Sequence, residues 1–120
     1  MAPERDDARE RALTSLRQLL ATDQEVRRRL RANEVLLRRA IRELEKGSTI
    51  AATMEVTNIG FGRQQVNEGL DALTSARHEL RLAITVAGLE EGMTAADLGR
   101  AWGISRQLAS RFAQEARDGI

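Results

Sequence analysis

The chain has 120 residues, 42% of them hydrophobic and 31% charged, and its 19 basic and 18 acidic side chains leave a formal net charge of +1. That length holds one domain, or one small domain with a helical extension. The absence of cysteine excludes disulfides, thiol catalysis and thiolate metal sites, and with two Phe, one Trp and no Tyr the core must come from Leu, Ala, Ile and Val, which favours helices over a sheet.

No apolar run reaches the roughly 18 residues of a membrane span, and the opening MAPERDDARE is too charged for a signal peptide, so the expectation is a cytoplasmic protein without membrane attachment. Lys46 is the only lysine, an arginine bias associated with GC-rich genomes. Charge is uneven: residues 1–46 carry 12 basic and 9 acidic side chains (+3), 47–93 carry 3 and 6 (−3), and 94–120 carry 4 and 3 (+1). Affinity for a polyanion would then rest on a few arginines and on dimerisation rather than on bulk charge.

Residues 1–6 are expected to fray, with Pro3 at the first turn. From residue 4 to 46 there is no Gly, and Arg, Leu, Glu and Ala dominate, so the text reads as helix. Leu16, Leu30, Leu37 and Leu44 share one heptad position, and Ala12, Leu19, Val26, Asn33 and Ala40 share another, interrupted at Asp23. Thr22 and Glu25 spell a capping box there, which favours two helices, 4–20 and 23–46, over one rod. Leu13, Leu20, Leu36 and Ile41 widen the apolar stripe towards a bundle or an intertwined dimer. Asn33 either fixes register or lies partly exposed. Arg27, Arg28, Arg29, Arg31, Arg38, Arg39 and Arg42 either meet phosphates or form a solvated face pairing with Glu25, Glu34, Glu43 and Glu45.

Gly47 and Ser48 end this stretch. Residues 49–62 are rich in β-branched side chains, but a strand there has no partner, so a short helix capped by Ser48 and running to about Thr57 is expected. Asn58 to Gly62 then reads as a flexible turn, with Ile59 and Phe61 tucked beneath the bundle. Its glycines lack the flanking residues of a phosphate-binding loop. Helical spacing returns at 63–89 through Val66, Leu70, Leu73, Leu80, Ile84 and Ala87, closing at Gly88 and Gly92. The single histidine, His78, has no metal triad around it, since Glu79 faces away and Asp71 does not complete a set; it reads as a surface or interface residue. With no constellation of base, nucleophile or metal ligands, no cofactor and no enzymatic activity are expected.

The stretch TAADLGRAWGISRQLASRFAQ is the most structured text in the chain. Thr94 and Asp97 form a capping box, Met93 and Leu98 a hydrophobic staple, and Leu98, Ala101 and Trp102 one side of a helix stopped by Gly103. Ser105 then caps a second helix, 105–116, in which Leu108, Ala109 and Phe112 point one way and Arg106, Gln107, Ser110 and Arg111 another. Gly99 and Ala109 are small where the two helices cross. Arginine forks onto guanine, glutamine onto adenine, and serine reaches a base edge or a phosphate.

These residues resemble bacterial helix-turn-helix regulators, in particular small actinobacterial proteins with a phrase like EGMTAADLGRAWGISRQLASRF. The resemblance covers residues 77–116 and is most specific in Leu98, Gly99, Trp102, Gly103, Ile104, Ala109 and Phe112 joined to the ISRQ of residues 104–107. It implies that Arg106, Gln107, Ser110 and Arg111 face DNA; Trp102 departs from the smaller aliphatic usual there. Ser105, Gln114 and Thr94 complete the candidate DNA-binding set. The whole chain thus reads as all-α: an N-terminal helical dimerisation bundle (1–62), a connecting and support helix (63–92) and a C-terminal helix-turn-helix motif (93–120), the last two forming a three-helix unit. The expected partners are double-stranded DNA and a second copy of the chain, in the cytoplasm and at the nucleoid when bound. The alternative is a helical interaction module, antitoxin-like or adaptor, with a protein partner.

Overall fold

The computed structural model describes residues 3–118 and contains five helices and no strand among them: α1 (Pro3–Glu45), α2 (Ile50–Thr57), α3 (Ile59–Glu90), α4 (Ala95–Trp102) and α5 (Arg106–Asp118). The all-α expectation holds. Contacts divide the chain into two compact units, one formed by Met1–Leu19 with Ser75–Ile120 and the other by Leu20–Thr74, so α1 and α3 each lend residues to both.

Several local expectations are corrected. α1 is one continuous helix, without the break expected near Asp23. The Glu25 carboxylate accepts hydrogen bonds from Arg28 and Arg29 on the same helix, and these two guanidinium groups, Arg28 first, hold its pKa down at about 2. With no Gly or Pro in the stretch, leaving the helix would forfeit backbone hydrogen bonds for nothing in return. Helix is already present at Pro3, earlier than the expected fraying, which for Met1 and Ala2 lies outside the described residues. α2 ends at Thr57 as expected, but its cap is Thr49, whose hydroxyl accepts from the Ala52 amide at 3.1 Å, and not Ser48. The turn expected over 58–62 shrinks to Asn58, at φ 54°, a left-handed conformation asparagine tolerates. Its carbonyl accepts from the Phe61 amide at 3.1 Å and so begins α3 at once, leaving Phe61 exposed instead of tucked away.

In the unit Leu20–Thr74, Arg29 of α1 reaches α3, donating to the Gln65 carbonyl at 2.9 Å and pairing with Glu68 at 3.4 Å. The helices meet closely at two glycines. A Cβ at Gly69 would lie 3.1 Å from Arg29 Cδ, and one at Gly62 2.8 Å from Leu36 Cδ1 and closer still to Asn33 Oδ1. Asn33 is half-buried against α3 at this crossing. Thr53 and Thr57 are the buried residues of α2, and the Thr57 hydroxyl is satisfied by the Thr53 carbonyl at 2.7 Å. Three arginines of α1 pair with a Glu three or four residues away: Arg28 and Arg29 with Glu25, and Arg38 with Glu34. Leu70, read as a core position, is exposed.

In the other unit, the first turns of α1 pack on the last turns of α3 through Ala8, Ala12 and Ala87, flanked by Ala83, Ile84 and Val86. Alanines at i, i+4 let the two backbones come close, and Arg9 closes the edge by pairing with Glu91 at 2.7 Å. α3 ends in a Schellman closure: the Met93 amide donates to the Gly88 carbonyl at 2.9 Å and the Gly92 amide to the Leu89 carbonyl at 3.0 Å, with Gly92 at φ 92°. Gly88, inside the helix, is required by Leu98 of α4, since a Cβ there would lie 2.9 Å from Leu98 Cδ2 and 3.1 Å from Met93 Sδ.

Candidate nucleic-acid interface

α4 begins where the sequence says it should. The Thr94 hydroxyl accepts from the Asp97 amide at 3.1 Å while the Asp97 carboxylate accepts from the Thr94 amide at 2.9 Å, the reciprocal capping box. Those bonds to Thr94, with Arg100 alongside, hold the Asp97 carboxyl below its ordinary pKa. Met93 and Leu98 both lie over Gly88, as a staple requires. Leu98 is buried and Trp102, 39% exposed, lines a small cavity with it, but Ala101 is exposed and does not join the packed side. Buried Gly99 takes that place.

The helix stops at Gly103, φ 73° and ψ 30°, by a second Schellman closure: the Ile104 amide donates to the Gly99 carbonyl at 2.9 Å and the Gly103 amide to the Arg100 carbonyl at 3.4 Å. Ser105 then caps α5, its hydroxyl accepting from the Leu108 amide at 3.1 Å. Between the two helices only Gly103, Ile104 and Ser105 intervene, and α4 and α5 pack directly on each other. A Cβ on Gly99 would lie 3.2 Å from the Ile104 carbonyl oxygen and 3.4 Å from Ala109 Cβ, so the small residues at the crossing are needed for the approach.

α5 is two-faced. Ala109, Ala113 and Ala116 are buried, Leu108 and Phe112 half-buried. The Arg81 guanidinium of α3 stacks 4.2 Å from the Phe112 ring centre, and Glu115 accepts from Arg81 at 3.4 Å and lies 3.3 Å from His78 Nε2. His78 therefore ties α3 to α5. The opposite face carries Arg106, Gln107, Ser110, Arg111 and Gln114, all exposed. Among the described residues neither Arg106 nor Arg111 has an ion-pair partner, so both guanidinium groups are open to an incoming acceptor.

No protein-family model, curated protein or solved structure matches the chain.

What the face can do must therefore be read from its own chemistry. It offers two five-donor forks, a carboxamide and a hydroxyl within the first turns of a short helix, a set suited to oxygen and nitrogen acceptors on a groove floor or a phosphate chain. The other three sequence-derived candidates are less open. Gln114 donates to Asp118 at 2.9 Å, and the oxygens of Thr94 and Ser105 are used by their caps, leaving each hydroxyl proton to give. Arg117, outside the sequence-derived set, lies seven residues beyond Ser110 on the same face and is exposed; the i+7 spacing is its signal. Among the described residues no helix is long and apolar enough to cross a membrane, and no three His, Cys, Asp or Glu gather as a metal set.

Proposed function

We propose that the chain is a sequence-specific DNA-binding transcriptional regulator that acts as a homodimer, with α3, α4 and α5 as a helix-turn-helix unit and α5 lying in the major groove. The observation that carries this reading is Arg106 and Arg111, without an ion-pair partner among the described residues, together with Gln107 and Ser110 on the solvent face of a helix whose other face is packed. Arg106 and Arg111 are the principal base or phosphate readers, Gln107 and Ser110 secondary ones, and Ser105, Thr94 and Gln114 contribute at the rim. Two such helices held by a dimer would enter successive grooves about 34 Å apart on a palindromic site. The protein is a non-enzyme without cofactor, working in the cytoplasm and on the nucleoid when bound.

The test is retention of genomic fragments in a gel shift followed by sequencing. Enrichment of an inverted repeat supports the reading. No retention at low salt, where non-specific binding is strongest, refutes it. A second reading, a helical adaptor with a protein partner, is favoured by the exposed apolar residues of α1 and α2. It takes over if fragments are not retained.

A further inference from the structure

The unit Leu20–Thr74 shelters little of its own apolar material. Val26, Ala40, Thr53 and Thr57 are buried, whereas Leu30, Leu37, Ile41 and Leu44 remain 40% to 57% exposed. Steps of seven, four and three residues return to one side of a helix, so these four make a single stripe along α1. The neighbouring side, with Val26, Arg29, Asn33 and Leu36, is taken by α3 at Gly62 and Gly69.

Along the free edge of the stripe run Arg27, Glu34, Arg38 and Glu45. Their signs alternate, and they stand nine before, two before, two after and nine after residue 36. A second α1 turned end over end about that point sets Arg27 against Glu45 and Glu34 against Arg38, each pair twice. Antiparallel packing also brings this edge against its own counterpart, whereas parallel packing would need the edge already covered by α3. Among the described residues Arg27 and Glu45 have no ion-pair partner within the chain, while Arg38 and Glu34 pair locally at 3.4 Å.

We propose that this stripe is the docking surface for a second copy of the chain, α1 against α1 in antiparallel orientation, with the two-fold axis passing near residues 36 and 37. Leu37 meets its twin there, and Leu30 meets Leu44 and Ile41 of the second copy. The proposal gives the homodimer of the functional reading its surface and rests on the dimeric half of that reading only. Eight side chains per protomer, each covering roughly 60 Å², remove on the order of 1,000 Å² from water in the pair, where specific interfaces begin.

Because the chain lacks cysteine, single Cys variants report the geometry directly. Under mild oxidation without DNA, Leu37→Cys should form a disulfide-linked dimer. Leu30→Cys and Leu44→Cys should each stay monomeric on a non-reducing gel but link when mixed. Leu37→Asp, at an exposed position, should keep its helical signal and sediment as a monomer where the parent sediments as a dimer. A monomeric parent, Leu30→Cys and Leu44→Cys each linking to their own twins, or a mixture that fails to link overturns the proposal. Linkage in the expected pattern by a chain that retains no DNA upholds it and removes only the DNA-binding reading. DNA retention by a chain that stays monomeric does the reverse.

Discussion

Replacing Gly103 with alanine isolates the backbone cost of the turn between α4 and α5, because a Cβ there meets nothing within 4 Å and the only change is a side chain at φ +73°. An L-residue in the left-handed region costs about 1–2 kcal/mol. The alanine also stiffens the unfolded chain, which returns about 0.4–1 kcal/mol, so the net loss is about 1 kcal/mol. Gly60 supplies the opposite sign from the same substitution. It lies in the first turn of α3, its Cβ also finds open space, and no left-handed φ is imposed. Gly60→Ala should therefore gain about 0.5 kcal/mol. Urea unfolding followed by far-ultraviolet circular dichroism measures both, and in thermal melts the Gly103 variant should fall by about 4 °C. Gly103→Asn should lie between parent and alanine, since asparagine tolerates the left-handed region. A Gly103→Ala chain as stable as the parent, or a Gly60→Ala chain less stable, would refute the assignment of these effects to φ.

Arg111→Ala should weaken binding to the preferred fragment by about 1–3 kcal/mol and relax preference at one base pair if it forks onto guanine, or weaken all sequences alike if it holds a phosphate; affinities across operator variants read the difference, and no change removes Arg111 from the interface. Thr94→Ala should cost about 1 kcal/mol by loss of the α4 cap, measured by denaturant unfolding. Asp97 has a lowered pKa in the folded chain, so its contribution is present above the ordinary Asp range and fades as pH falls through the folded value; Asp97→Asn should flatten the acid limb of the stability curve, and an unchanged limb would refute the linkage. Gly62→Ala should cost about 1–3 kcal/mol by pressing on Asn33 and Leu36, and Asn33→Ala in the same chain should recover part of it; additive losses in the cycle would refute the close approach.

Short-range features were legible in the sequence. The Thr94–Asp97 box, the stop at Gly103 and the Ser105 cap each involve atoms within a few residues, so their chemistry is written in consecutive letters. The polar face of α5 followed from period alone. What failed was competition between equally local options. Thr22 and Glu25 spell a cap, but Glu25 had Arg28 and Arg29 within reach on the same helix and the backbone ladder ran on. Gly60 and Gly62 looked like a turn; Gly62 is instead the point where α3 passes Asn33 and Leu36, a contact between residues far apart in the chain that no local pattern announces. Ala101 was misassigned because Gly99, with no side chain to register as apolar, holds the packed position.

The side chains on the outer face of α5 take no part in holding the helix to its neighbours, which is the work of alanines, Phe112 and Glu115 underneath. Residues 106, 107, 110 and 111 are thus interchangeable without endangering the scaffold. A lineage carrying this fold is free to drift at those four positions while its architecture stays fixed, and a library randomised there should yield mostly folded proteins.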